Sequence, residues 1–403
     1  MEVQSLGWHG RDAHASSFIG LTSRYTAQAT EHTTDQRREG RGKFMHPSIL
    51  LAPAPSSAVK APDALALTLA ATVSALLAAG EGILAADESF PTIEKRFEAQ
   101  GISSTEEARR TYREMLFTTP GLNKFISGVI LFDETIHQKI DGTPIPEALA
   151  RLGIIPGIKV DLGAVALANF PGEKITQGLD GLRDRLTAYR ELGARFTKWR
   201  AVIAIGEGMP TRACMAANAR ALAMFAARSQ AAGLVPIVEP EVLLEGTHTL
   251  ARCEEVTRAT LESVFQALAE HRVVLEAMLL KTGMVLSGQD CPQQANVGTI
   301  AEVTLRCLRR AVPAAVPGIV FLSGGQTDVN ATQRLNAICQ LGGGPWKTSF
   351  SYGRALQDPA LRIWHGSTAN RTAAQTALSH RARCNSLAVD GRYSAAVEQT
   401  TMA

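Results

Sequence analysis

Val235-Pro236-Ile237-Val238-Glu239-Pro240-Glu241 is a short apolar run that stops in two carboxylates spaced by two residues. Four positions are too few for a helix and suit a strand buried on both faces. The same design recurs on either side. Upstream, Phe196 to Ile203 carries Lys198 and Arg200, and Ile154 to Val160 carries Lys159, with Asp161 just beyond. Downstream, Ala277 to Leu280 runs into Lys281, and Gly318 to Leu322 into Ser323. Gly82-Ile83-Leu84-Ala85-Ala86, Ile126 to Phe132 and Thr348 to Tyr352 bring the candidate strands to eight, with helix-like stretches between them. This alternation predicts parallel strands joined by crossover helices. Eight units in roughly 300 residues predict an α/β fold of the closed (β/α)8 type, a TIM barrel.

Lys159, Lys198, Glu239, Lys281, Ser323 and Arg354 follow one another at intervals of 39, 41, 42, 42 and 31 residues, each interval about one strand-helix unit. Asp87 lies 72 residues before Lys159, room for two units; the strand between, Ile126 to Phe132, offers no obvious functional side chain. Polar groups therefore collect at the carboxyl ends of strands, the face that carries chemistry in such barrels. Asp87 with Ser89, Lys159 with Asp161, Lys198 with Arg200 and Glu239 with Glu241 are spaced by two, so each pair is expected on one face.

Ser104 to Phe117 is the clearest helix, with Ser104 and Glu107 expected as a capping box. Ala64 to Ala79 is uncharged but short for a membrane span. Leu65, Leu69, Val73, Leu76 and Leu77 fall on one stripe behind Pro62-Asp63, as in a helix packed on a core. Residues 1–60 are rich in Arg, His, Ser and Thr and lack periodicity, as expected of a disordered N-terminal extension. Glu2, Asp12, Glu31, Asp35 and Glu39 speak against an organelle transit peptide. A translated upstream region with the start at or near Met45 is the alternative. The single barrel domain is expected over residues 61–395, with a flexible tail over 396–403.

A formal charge of +3 over 403 residues gives no basic stripe of the kind nucleic acid requires. Six cysteines without a Cys-x-x-Cys pair suit inert, reduced thiols in a cytoplasm. His137, His248, His271, His365 and His380 are isolated in sequence, so no metal site is expected. Gly342-Gly343-Gly344-Pro345 lacks the strand-helix context of a nucleotide fingerprint and is expected to be a loop.

Seven motifs occur in order: Ile83 to Ser89, Gly157 to Asp161, Lys198-Trp199-Arg200, Val238 to Glu241, Leu279-Leu280-Lys281, Phe321 to Gln326 and Phe350 to Leu356. Over about residues 62 to 393 they resemble the class I fructose-1,6-bisphosphate aldolases. Ile126 to Lys139 and Thr176 to Arg185 look most like the bacterial members. The resemblance implies a metal- and cofactor-independent lyase of glycolysis and gluconeogenesis. It would cleave fructose 1,6-bisphosphate reversibly through a lysine Schiff base. A cytoplasmic homotetramer is implied, with a small phosphorylated sugar as partner and neither nucleic acid nor membrane. A related enzyme preferring another sugar bisphosphate, such as sedoheptulose 1,7-bisphosphate, and a catalytically silent scaffold are the competing expectations.

By the same resemblance Lys281 is the amine nucleophile, whose pKa Lys198 and an apolar surround are expected to lower. Glu239 matches the general acid-base residue, Glu241 is expected to hold the lysines, and Asp87 matches the carboxylate that takes the fourth-carbon hydroxyl proton. The alternative for Asp87 is a helix N-cap before Pro91. Ser323, Gly324 and Gly325, backed by Arg354 with Ser351 and Gly353, look like the one-phosphate site. Ser89, Thr92, Arg96 and Lys159 align with positions around the six-phosphate, and Arg200 is expected to screen either end. The chain departs from its relatives at Thr282-Gly283, Leu162 and Phe90-Pro91, and it ends in Thr-Met-Ala rather than the terminal tyrosine of animal and plant members.

Overall fold

The computed structural model describes residues 64–399. The expected extension over residues 1–60 lies outside the described residues. Eight parallel strands close on themselves: β1 (Gly82–Ala86), β2 (Ile126–Leu131), β3 (Ile155–Lys159), β4 (Phe196–Ile203), β5 (Val235–Val242), β6 (Leu279–Thr282), β7 (Gly318–Phe321) and β8 (Lys347–Tyr352). Each pairs with its neighbours in chain order, and β8 returns to β1 through Ile83 opposite Ser351. The expected strands all form, with small shifts at their ends. β6 starts later because Leu275–Ala277 is a tight turn of 3-10 helix. β5 runs on to Val242 because Arg200 to Ile203 stay in register with Glu239 to Val242.

Alternation along the strands creates two cores. Ile83, Ala85, Ile130, Phe196, Val235, Ile237, Leu279 and Val320 fill the barrel, whereas Leu84, Val129, Val238, Leu280, Phe321 and Phe350 face the helices. Large and small residues interlock inside: a Cβ on Gly157 would stand 2.3 Å from the Phe196 ring. The helix Ala64–Leu76 closes the amino-terminal end of the barrel, where Leu69, Val73, Leu76 and Leu77 join the inner core. Ser127 Oγ donates to the Leu76 carbonyl at 2.8 Å and Lys347 Nζ to that of Leu77 at 3.2 Å. Burying each such Leu contributes about 1.5–3 kcal/mol. Leu65 departs from the expected stripe and is 39% exposed, because the first turn of this helix reaches only the Gly233 turn at the rim.

The cap before the Glu106–Phe117 helix is Thr105, whose Oγ1 accepts from Ala108 N, and not the expected Ser104. The Ser104 carbonyl is instead engaged by Arg109 Nη1 at 2.7 Å. Residues 396–399, expected in a flexible tail, lie in a docked helix, Ala395–Gln399. Its Glu398 is bound by Arg381 and Tyr393. Two hairpins, Lys139–Ile140 with Thr143–Pro144 and Ala164–Ala166 with Lys174–Thr176, decorate the loops after β2 and β3. No described helix is long and apolar enough to cross a membrane.

Candidate active site

Two residues beyond each apolar plug, the next inward position is charged: Ala85 leads to Asp87, Phe196 to Lys198, Ile237 to Glu239 and Leu279 to Lys281. These four side chains form one buried tier above the plug. Lys281 is 4% exposed and Lys198 3%. Lys281 Nζ lies 3.0 Å from Glu239 Oε1. Lys198 Nζ lies 2.5 Å from Asp87 Oδ2 and faces Glu239 Oε2 at 3.4 Å. That last contact lacks hydrogen-bond geometry, so Oε2 is a buried acceptor held by charge alone. Glu239 thus touches both lysines through different oxygens.

Burial by itself would raise the Asp87 carboxyl. Lys198, with Lys281 and Lys159 behind it, overcomes that and holds the carboxyl below its ordinary value. Burial likewise opposes the Lys198 charge, but Asp87, Glu239 and Asp161 keep this ammonium well above the ordinary lysine range. Lys198 is therefore a fixed cation and Asp87 a fixed anion at neutral pH. Two buried cations facing two carboxylates cost desolvation that a hydrophobic tier would avoid, which marks the cluster as chemical rather than structural.

One tier higher the charges pair again. Arg200 Nε donates to Glu241 Oε2, so Glu241 does not hold the lysines as expected. The register sets Glu241 opposite Val202, a step above the lysine tier. Lys159 Nζ is 2.8 Å from Asp161 Oδ1. Asp161, left out of the expected site, also accepts from the amides of Gly163 and Arg200. Its signal was visible in the spacing of two from Lys159. Phe132, at the end of the strand expected to contribute nothing, has its ring 6.0 Å from Lys159 Nζ and edge-on to Phe90 at 5.1 Å.

Ser89 Oγ and Thr92 Oγ1 are 3.2 Å apart at the start of the Phe90–Glu98 helix, whose N-cap is Ser89. Asp87 takes no part in that cap. Arg96 is not brought to this rim. Its guanidinium is enclosed by Glu88 at 2.5 Å, Asp358 at 2.9 Å and the Gln357 amide oxygen at 3.3 Å, partners from two segments far apart in sequence. On the other side of the mouth Gly324 and Gly325 have φ of +50° and +86°, a left-handed turn. A Cβ on Gly325 would sit 3.7 Å from Arg354 Nη2, so the guanidinium stands beside the turn. Arg354 is exposed and has no ion-pair partner among the described residues. Ser351 Oγ, on the inward face of β8, is buried and has no hydrogen-bond partner among the described residues. Gly353 follows, with the Ala85 carbonyl 3.3 Å from where a Cβ would be.

A rim with a free cation, a glycine turn and a buried lysine-carboxylate tier is the arrangement a phosphorylated carbonyl substrate requires. The family model for class-I fructose-bisphosphate aldolase matches residues 68–403. The chain belongs to the class-I fructose-bisphosphate aldolase family. It is 57% identical over 327 residues to a probable fructose-bisphosphate aldolase class 1 of Xanthomonas campestris pv. campestris, covering 81% of this chain and 98% of that one. It is 50% identical over 329 residues to a fructose-bisphosphate aldolase of Dictyostelium discoideum, covering 81% and 92%. The Plasmodium falciparum aldolase, solved in complex with TRAP and a small-molecule inhibitor, superposes with a TM-score of 0.81 at 48% identity, covering 83% of this chain and 97% of that one.

Within this aldolase framework the departures fall in distinct places. Thr282 points away from the mouth, since the pleat that turns Lys281 inward turns Thr282 toward the helices, where it is buried. Gly283 meets only Leu322 Cδ1, at 3.8 Å from a would-be Cβ. Leu162 is 67% exposed and Phe90 47%, the latter with Arg109 4.8 Å above its ring. Phe90 therefore adds an apolar surface against Phe132, the ring that neighbours Lys159.

Proposed function

We propose that the protein cleaves fructose 1,6-bisphosphate reversibly to dihydroxyacetone phosphate and glyceraldehyde 3-phosphate through a Schiff base on Lys281. The observation that carries this reading is the Glu239 carboxylate set between Lys281 at 3.0 Å and Lys198 at 3.4 Å. Glu239, beside Nζ, takes one proton from the Lys281 ammonium; the neutral Nζ adds to the substrate ketone carbon, and Glu239 passes that proton to the carbonyl oxygen, which becomes a hydroxyl. Glu239 then takes a second proton from Nζ and delivers it to that hydroxyl, which leaves as water, while the third stays on the iminium nitrogen. The iminium then draws electrons from the adjacent carbon-carbon bond as that bond breaks. Asp87, kept ionised by Lys198, accepts the proton of the fourth-carbon hydroxyl, which becomes the aldehyde. Protonation of the remaining enamine and addition of water release the second product and restore the lysine.

The phosphates anchor this geometry from both ends of the sugar. Ser323 to Gly325, Ser351 and Arg354 suit one of them, through left-handed turn amides and a free guanidinium. Ser89, Thr92 and Lys159 suit the other, at the positive end of the Phe90–Glu98 helix. Arg96, on the same helix, ties it to Glu88 and to Asp358. A cytoplasmic homotetramer belongs to the same proposal and rests on the family resemblance, with native mass measurement as its check.

Borohydride reduction in the presence of dihydroxyacetone phosphate is expected to leave one covalent adduct, mapped by peptide mass to Lys281, and Lys281→Met to abolish both adduct and cleavage. A folded protein that gives no adduct at Lys281 refutes the mechanism.

A further inference from the structure

The carboxy-terminal segment brings together three side chains that the catalytic chemistry does not use. His380 and Cys384 are four residues apart on the Arg371–Val389 helix, one above the other on the same face. Glu398, on the short helix that ends the described chain, closes over them. The histidines look isolated in sequence because the third member of this group comes from a different element.

We propose that His380, Cys384 and Glu398 form a zinc-type transition-metal site that staples the Ala395–Gln399 helix onto the Arg371–Val389 helix. One donor atom from each residue lies within 4.8 Å of the others. The Cys384 Sγ to His380 Nε2 separation is 3.6 Å, and His380 Nε2 to Glu398 Oε2 is 3.7 Å. Tetrahedral zinc with bonds of about 2.0–2.3 Å sets sulfur and nitrogen about 3.6 Å apart, and nitrogen and carboxylate oxygen about 3.4 Å apart. Two of the three donor separations therefore already match such a tetrahedron to within a few tenths of an ångström, and the third, sulfur to carboxylate oxygen, lies within 4.8 Å and closes on binding. Thiolate, imidazole and carboxylate are also the zinc donor set, and three of them leave the fourth position to water.

The surroundings hold the carboxylate in place. Tyr393 donates to Glu398 Oε1 at 2.5 Å and Arg381 Nη1 to the same oxygen at 2.6 Å, fixing the group while Oε2 faces His380. Arg381 Nη1 also reaches Oε2 at 2.5 Å, and a metal displaces that one contact. The guanidinium is not stranded, since Thr332 Oγ1 and the Asp328 carbonyl accept from its other nitrogen and the Asp328 carboxylate lies 4.0 Å away. Side-chain exposures of 18% for His380 and 22% for Glu398 give an ion a path in. On binding, the Cys384 S–H proton is released to solvent as the metal-sulfur bond forms, and the neutral imidazole contributes its Nε2 lone pair.

The full-length chain, stripped with chelator, is titrated with cobalt(II) and then zinc(II). One equivalent of cobalt is expected to bind with a thiolate-to-metal charge-transfer band, and zinc to displace it. Cys384→Ser is expected to abolish the band, and Cys384→Ser and Glu398→Gln each to weaken binding at least about tenfold. Zinc is expected to slow hydrogen exchange of the 395–399 amides. If a variant fails to fold, by circular dichroism, His380→Gln replaces it in the affinity test. Failure of the wild type to bind, an unchanged band in folded Cys384→Ser, or unchanged exchange at 395–399 each overturns the proposal. Cleavage activity is not the readout, so the outcome is independent of the Schiff-base mechanism.

Discussion

Lys198→Met tests the central tier most sharply, because it keeps an unbranched side chain of nearly the same bulk and removes the ammonium with its charge and its bond to Asp87. Lys198 is almost fully buried, with Asp87 at 2.5 Å and Glu239 at 3.4 Å. Glu239 retains Lys281, so the group that loses its direct partner is Asp87. Removing one partner of a buried pair costs about 3–5 kcal/mol. The pH dependence distinguishes this from simple loss of packing. In the wild type the folded pKa of Asp87 lies below its unfolded value near 3.9, so its contribution is fully present above about pH 4 and is lost as pH falls through the folded value. Without Lys198, burial is opposed only by Lys281 and Lys159 behind it, and the folded pKa is expected to rise above the unfolded one. The sign then reverses: stability is present at low pH and is lost as pH rises. Urea unfolding from pH 4 to 8 is therefore expected to show a deficit of about 3–5 kcal/mol at neutral pH that shrinks toward pH 4. Adding Asp87→Asn to the variant removes the stranded charge and is expected to recover most of that deficit. A deficit below about 1 kcal/mol at pH 7, the size of an exposed pair, or one independent of pH, refutes the coupling between these two groups.

Three further outcomes follow from the packing and the rim. Gly157→Ala drives a Cβ to 2.3 Å from the Phe196 ring, so overpacking of about 1–3 kcal/mol is expected to lower the thermal midpoint. An unchanged melt counts against the interlocked plug. Arg354→Ala removes the free guanidinium beside the glycine turn and is expected to raise KM for the bisphosphate by roughly 10–100-fold, a charge-assisted contact of about 1.5–3 kcal/mol, with kcat largely retained. A KM within twofold of wild type assigns that phosphate elsewhere. Arg96→Ala leaves the Glu88 carboxylate without its ion pair and with only the Gln357 amide as side-chain donor, so unfolding measurements are expected to show a loss of about 3–5 kcal/mol, larger than any change in KM. A tenfold rise in KM at unchanged stability returns Arg96 to direct phosphate binding.

The sequence by itself determined the barrel and which charged residues gather at the carboxyl ends of its strands, while the roles proposed for them came from the family resemblance. An apolar run that ends in a charged residue every forty positions is a local signal, and the period-two pleat carries it from residue to side-chain direction without knowledge of any neighbour. That is why Asp87, Lys198, Glu239 and Lys281 were legible together. Partnership was not legible, because it depends on register between strands and on contacts between elements far apart in the chain. Glu241 was expected beside the lysines and instead meets Arg200 one tier above; Arg96 was expected at the rim and is enclosed by Glu88 and Asp358. Phe132 beside Lys159 and Glu398 over His380 and Cys384 have the same origin. Pattern along the chain decides which face a side chain takes, and only the closed barrel and its packed helices decide which charge, ring or donor it meets there.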